Sequence, residues 1–161
     1  MTDRPYIVYP DTAQQIHEAG LEQIVIKGYI NEPGLLSFGT VDFVPGWFIS
    51  PHSHYTWELI IVGASSAGPS YTLFDKQWWR VDPGGCLFVP KGYPHCWSAG
   101  NETGFKMLWI YPAAHKEADR IWEGDPKTFR AITPEEERNA LVWTEETARS
   151  VLDSNQPAQS G

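Results

Sequence analysis

The sequence predicts an all-β core closed into a small antiparallel barrel or sandwich, with short helices at its two ends. Two observations carry this. Between residues 22 and 112, short β-rich runs alternate with turns that contain Gly or Pro. Before and after that stretch the signals become those of helices. The length, 161 residues and 18.2 kDa, suits one domain with one core, and 42% hydrophobic residues suffice to fill it. The expected organisation is one domain over 1–161, with a β core at about 22–112, a helical extension over 113–154 and a disordered tail over 155–161.

Taken in order, "DTAQQIHEA" (11–19) predicts a short helix opened by Asp11 and stopped by Gly20. "EQIVIKGYI" is rich in β-branched residues and alternates, as a strand does. Pro45 and Gly46 break "GTVDFVPGWF" into two short strands. "SPHSHYTWELIIV" follows as a strand. "PSYTLFDKQWWRVD" predicts a hairpin with its turn near Asp75, Lys76 and Gln77. One of Trp78 and Trp79 must then face inward and the other outward. "PGGCLFVPKGYPHCW" is strand, turn, strand, and "FKMLWIYP" alternates up to Pro112. Beyond it, "AAHKEADRIWEG" predicts a helix ending at Gly124. A second helix starts at Thr133, with Pro134 in its first position and Glu136 completing a capping box, and should run through Leu152 to about 154.

Charge excludes some functions. Twelve basic against 20 acidic residues give a net charge of −8, which a nucleic-acid backbone would repel. No apolar run is long enough to cross a membrane, and "MTDRPYIVYP" lacks the apolar centre of a signal peptide, so a cytoplasmic protein is expected. Two cysteines, Cys86 and Cys96, make no disulfide framework. Eight tryptophans in so short a chain point to an aromatic-lined cavity, a large oligomer interface or a Trp-rich core. Exposed Trp- and Tyr-bearing strands need covering, so a homodimer through the β surface is expected.

The stretch that carries chemistry is "HSHYTWELIIV", residues 52–62. Strand side chains of one parity point the same way. One regular strand would therefore aim His52, His54 and Glu58 at one side. Two imidazoles and a carboxylate suit Fe(II), Mn(II), Zn(II), Ni(II) or Co(II). A fourth candidate, His95, follows the Pro90–Gly92 turn early in the next strand. Parity also nominates Phe48, Ile60 and Trp97 as pocket walls, with core filling an equal reading for Ile60. Tyr93 is a further candidate for substrate contact. Tyr55 and Trp57, of opposite parity, should face away.

These residues resemble the two motifs of the cupin superfamily. Gly46, five residues, His52-Ser-His54, three residues and Glu58 are similar to the first motif. Gly84, five residues, Pro90-Lys91-Gly92, two residues and His95 are similar to the second. The resemblance spans about residues 40–112. It implies a double-stranded β-helix, that is a jelly-roll barrel, and one divalent metal held by His52, His54, Glu58 and His95. Two departures concern turns and spare the ligands: the closing glycine of the first motif comes early, at Gly63, and Ala99 stands where the second motif has asparagine.

The function expected from this resemblance is a mononuclear metal enzyme. An Fe(II) dioxygenase is foremost, acting on a small enolisable, phenolic or otherwise oxygen-chelating apolar compound, with Glu58 able to act as a base. A redox-neutral lyase, isomerase or cyclase is the alternative. Small cupin lyases of sulfonium compounds resemble the chain in size, but their active-site tyrosine falls at Ile60 here. A non-catalytic binding or sensing cupin is the third reading. "HSHYTWELI" also resembles the sugar-sensing arm of AraC-type regulators. That reading calls for a basic helix-turn-helix domain, which this sequence lacks, so it ranks below an enzyme.

Overall fold

The computed structural model describes residues 8–16, 25–32, 34–114, 120–144 and 146–147. Two six-stranded sheets make up the structure. The first has the order β1-β2-β3-β10-β5-β8 and the second β11-β4-β9-β6-β7-β12. In chain order the strands are β1 (Gln14–Ile16), β2 (Val25–Glu32), β3 (Leu36–Phe43), β4 (Phe48–His54), β5 (Glu58–Val62) and β6 (Ser70–Phe74). They continue with β7 (Gln77–Val81), β8 (Cys86–Val89), β9 (His95–Ala99), β10 (Phe105–Tyr111), β11 (Arg120–Trp122) and β12 (Leu141–Val142). The pairings are antiparallel except β12 on β7, which is parallel. From β3 to β6 and again from β7 to β11, successive strands alternate between the sheets, the arrangement of a jelly-roll barrel.

The alternation in the sequence explains which faces meet. In β5, Glu58, Ile60 and Val62 are buried while Leu59 and Ile61 are only partly so. In β10, Phe105, Met107, Trp109 and Tyr111 point inward. With Ile26, Val41, Phe43, Ile49 and Trp97 they form one apolar cluster between the sheets. Each such aliphatic or aromatic side chain contributes about 1.5–3 kcal/mol by leaving water. Gly39 is required by this packing: a Cβ there would sit 2.2 Å from Lys27 O and 2.3 Å from the Trp109 ring. A second cluster lies on the other face of the second sheet, where Tyr71, Trp78 and Cys96 meet Ile132 and Phe129.

The predicted hairpin forms as β6–β7, and Asp75 and Lys76 take positive φ values of 51° and 62°. Two successive left-handed residues give the turn whose twist matches a two-residue hairpin. The terminal helices differ from expectation. In the 11–19 segment, Gln14–Ile16 pairs with β2, where Gly28 leaves room for Ile16, and 17–19 lie outside the described residues. In the 113–124 segment, Arg120–Trp122 pairs with β4, and 115–119 lie outside. An exposed strand edge supplies the backbone partners that here outweigh helix propensity.

The C-terminal helix starts as expected. In α1 (Pro134–Asn139), the Thr133 hydroxyl accepts from Glu136 N–H and the Glu136 carboxylate accepts from Thr133 N–H. It stops after six residues, because Leu141 and Val142 join the edge of β7. The rest of its expected span from 148, and the tail 155–161, lie outside the described residues. Among the described residues no helix is long and apolar enough to cross a membrane.

Candidate metal centre

Three strands bring four side chains together. β4 carries His52 and His54, β9 carries His95 directly opposite His52, and β5 carries Glu58 from the other sheet. The expected single strand from 52 to 58 is therefore two strands. The chain leaves the second sheet at Tyr55 and enters the first at Glu58, so convergence comes from closure of the barrel and not from parity along one strand. Parity also fails before the histidines. The register of β4 on β9 shifts by one residue between Ile49 and His52, the span that contains Pro51. Proline cannot donate to the ladder, which favours such a bulge. The shift turns Ile49, not Phe48, toward the side of His95 and Trp97.

The four donor atoms lie within 4.8 Å of one another, and all four residues are buried. Glu58 Oε2 is 3.0 Å from His95 Nε2 and 3.4 Å from His54 Nε2. Ring centroids are 4.5 Å apart for His52 and His95 and 4.9 Å for His52 and His54. His52 Nδ1–H donates to Ser50 O at 2.7 Å, and His95 Nδ1–H donates to Tyr93 O at 3.1 Å. A carbonyl only accepts, so each Nδ1 carries a proton and each Nε2 is turned inward, where His95 Nε2 is in hydrogen-bond contact with Glu58 Oε2. Gly92 N–H donates to His54 O at 3.0 Å, tying the Pro90–Gly92 turn to the end of β4. Gly92 takes a positive φ of 74°, which suits glycine there.

Electrostatics set the charges within the cluster. Burial pushes the His52 imidazole well below its ordinary value, and the charges of His95 and His54 push the same way, so it stays neutral. Burial alone would raise Glu58. Hydrogen bonds with His54 and His95, and their charge, outweigh it and hold the carboxyl far below the usual carboxylate range. Three imidazoles and an ionised carboxylate are donors that suit a first-row divalent metal, which would displace the protons that His54 and His95 share with Glu58 in its absence.

A cavity of about 660 Å³ opens beside this cluster, between the β6–β7 hairpin and β8. Of the four cluster residues only His95 lines it. Its walls include Phe74, Trp79, Leu87, Val89 and Trp143, with Arg80 and Asp82 paired at 2.7 Å nearby. Tyr93 also lines it, and its hydroxyl donates to Asp75 at 2.6 Å. Burial, then that carboxylate, push the Tyr93 phenol up to about 12. Ile60 and Trp97 sit in the apolar cluster between the sheets, and Phe48 packs on Phe129 at 5.7 Å. Tyr55 and Trp57 are exposed, on the outside as expected. Trp79 is the tryptophan of the hairpin that faces the cavity, and Trp78 joins the outer cluster. Three cavity residues escape sequence reasoning. Thr72 has no motif around it, Trp79 is undecided from Trp78 by alternation alone, and Trp143 falls in a stretch whose signals are helical.

The pattern of the AraC-like ligand binding domain matches residues 39–154. No curated protein matches the chain. Several solved structures share its fold. A polyketide cyclase from Streptomyces resistomycificus aligns with a TM-score of 0.61 at 18% identity, over 78% of this chain and 89% of its own. A cupin-like protein from Thermotoga maritima aligns with a TM-score of 0.56 at 19% identity, over 73% and 84%. A DMSP lyase from Ruegeria pomeroyi aligns with a TM-score of 0.56 at 18% identity, over 78% and 63%.

Proposed function

The chain belongs to the AraC-like ligand binding domain family, and from that premise we propose that it is a mononuclear metal-dependent cupin enzyme acting on a small oxygen-chelating, largely apolar compound. The observation that carries the proposal is the buried cluster of three imidazoles and one carboxylate beside an aromatic cavity. His52, His54, His95 and Glu58 would hold the ion. When bound, a divalent ion supplies Lewis acidity, and Fe(II) in addition supplies chemistry with O2. Mn(II), Zn(II), Ni(II) and Co(II) suit the same donors. An ion held by these four donors would still be open to a bidentate enediol, diketone or phenol. Substrate would approach from the His95 side. Glu58 does not line the cavity, so it would take a proton only from a substrate bound at the ion itself. The foremost reading within this class is an Fe(II) dioxygenase.

A redox-neutral reaction is the second reading. It is favoured by a fixed buried carboxylate, and two structures of like fold are a polyketide cyclase and a DMSP lyase. Ile60, where the sulfonium lyases carry a tyrosine, is fully buried in the core and speaks against their substrate. A binding or sensing module is favoured by the ligand-binding family itself. The exposed rings of Trp57 and Phe88, 5.8 Å apart, support the expected homodimer, which a monomeric mass at micromolar concentration would refute.

Oxygen uptake by Fe(II)-loaded protein with catechol or acetylacetone tests the foremost reading. Uptake that disappears in His54→Ala supports it. Product that forms equally without O2 moves the protein to the redox-neutral class. A retained ligand with no product over time moves it to the binding class.

A further inference from the structure

A row of buried polar groups crosses the second sheet beside the candidate metal centre. Thr72 on β6 lies directly opposite Trp97 on β9 and directly opposite Trp79 on β7. Residues directly opposite in an antiparallel pair share a face. The three therefore stand in line on the inner face, and Trp97 shares that face of β9 with His95. All three are at most 1% exposed. Trp97 Nε1–H, Thr72 Oγ1–H and Trp79 Nε1–H have no hydrogen-bond partner among the described residues. An unpaired buried polar group costs about 1–3 kcal/mol, so three in one row point to something that pairs with them.

Two of the three border the cavity. Thr72 and Trp79 both line it, as does His95. Its aromatic walls are arranged around Trp79. The Phe74 ring stacks on the Trp79 ring at 5.4 Å and 10°, and Trp143 lies 4.9 Å from it. β12 holds Trp143 in place by pairing Leu141 with Trp79 and Val142 with Arg80. The C-terminal segment thus supplies one wall of the cavity. Flat rings select flat guests, and donors select an acceptor oxygen.

We propose that this cavity takes a planar, conjugated molecule bearing an oxygen acceptor, its rings held against Trp143 and its oxygen by Thr72 Oγ1 and Trp79 Nε1. The assignment rests on reading the barrel as a ligand chamber beside a metal centre. It names the substrate class and two binding groups, and it makes Trp143 a specificity residue.

Calorimetric titration of the full chain, metal-free and Mn(II)-loaded, tests this with three probes: 2-naphthol, naphthalene and decahydro-2-naphthol. The last keeps the carbon skeleton and the hydroxyl and loses the planarity. 2-Naphthol should bind at least about 10-fold more tightly than decahydro-2-naphthol. Thr72→Val and Trp79→Phe should each weaken 2-naphthol by about 3- to 10-fold and leave naphthalene unchanged. Trp143→Ala should weaken both aromatic probes. Thr72→Val should unfold at no lower denaturant concentration than wild type, since it loses a hydroxyl without a partner. Equal binding of 2-naphthol and decahydro-2-naphthol, no binding of any probe, or unchanged 2-naphthol affinity in both Thr72→Val and Trp79→Phe overturns the proposal. Manganese content decides the metal reading separately. Wild type that holds no metal but shows this pattern sinks the metal and keeps the chamber, and the converse keeps the metal alone.

Discussion

Removing His95 should have two effects that a second substitution can separate. In the metal-free protein His95 Nε2 lies 3.0 Å from Glu58 Oε2, and both residues are at most 3% exposed. Deleting one partner of a buried pair costs about 3–5 kcal/mol, because the other is left without compensation. His54, at 3.4 Å from the same oxygen, retains part of that compensation, so about 3 kcal/mol is expected for His95→Ala. Neutralising the carboxylate removes the cause. His95→Ala/Glu58→Gln should therefore be less destabilised than the sum of the two single variants, with a coupling of about 2 kcal/mol. Metal binding should behave differently. If about 10–16 kcal/mol of binding is shared among four ligands, each carries about 2.5–4 kcal/mol, or about 10²- to 10³-fold in affinity. Both variants should lose metal to that degree, the double variant more. Urea midpoints of the metal-free proteins and metal content after dialysis against Mn(II) measure the two effects. A His95→Ala protein with wild-type stability and wild-type metal content refutes the reasoning, as does strict additivity in the cycle.

Other tests address the frame. Gly39→Ala should destabilise by at least about 3 kcal/mol or abolish soluble expression, since the new methyl meets both Lys27 O and the Trp109 ring, neither of which is free to move; thermal unfolding checks this. Thr133→Ala should cost about 1 kcal/mol through loss of the α1 cap, read from urea midpoints. The Glu136 carboxyl is held at about 2, chiefly by its hydrogen bonds with Arg130. Its folded value lies below its unfolded one, so its contribution is full above about pH 4.5 and is lost as pH falls toward about 2. Glu136 is half-buried but its partner Arg130 is exposed, so solvent screening keeps the effect small. Glu136→Gln should flatten the acid limb of stability against pH, and an unchanged limb counts against the assignment.

The β core was legible because short alternating runs and Gly or Pro turns are local signals. The ligand types and their spacing were legible for the same reason. Geometry was not always reached for the right cause. Glu58 joins the histidines because β5 crosses to the other sheet, a long-range fact that parity along one strand imitates. Phe48 lost its expected place to a one-residue register shift, which alternation cannot see. The terminal segments misled most. Ile16, Arg120–Trp122 and Leu141–Val142 pair with strand edges that exist only once the barrel has formed. Helix signals in such segments are weak local preferences, and tertiary pairing overrides them.

The donor cluster also spans the join between the two sheets. Three donors belong to one sheet and the fourth to the other. An ion held there would act as a rivet through two plates, resisting both their sliding and their parting. Filling the site would then stiffen the whole barrel, with a gain of about 2.7 kcal/mol at a metal concentration one hundred times the dissociation constant. The protein's resistance to unfolding would become a gauge of the free metal around it.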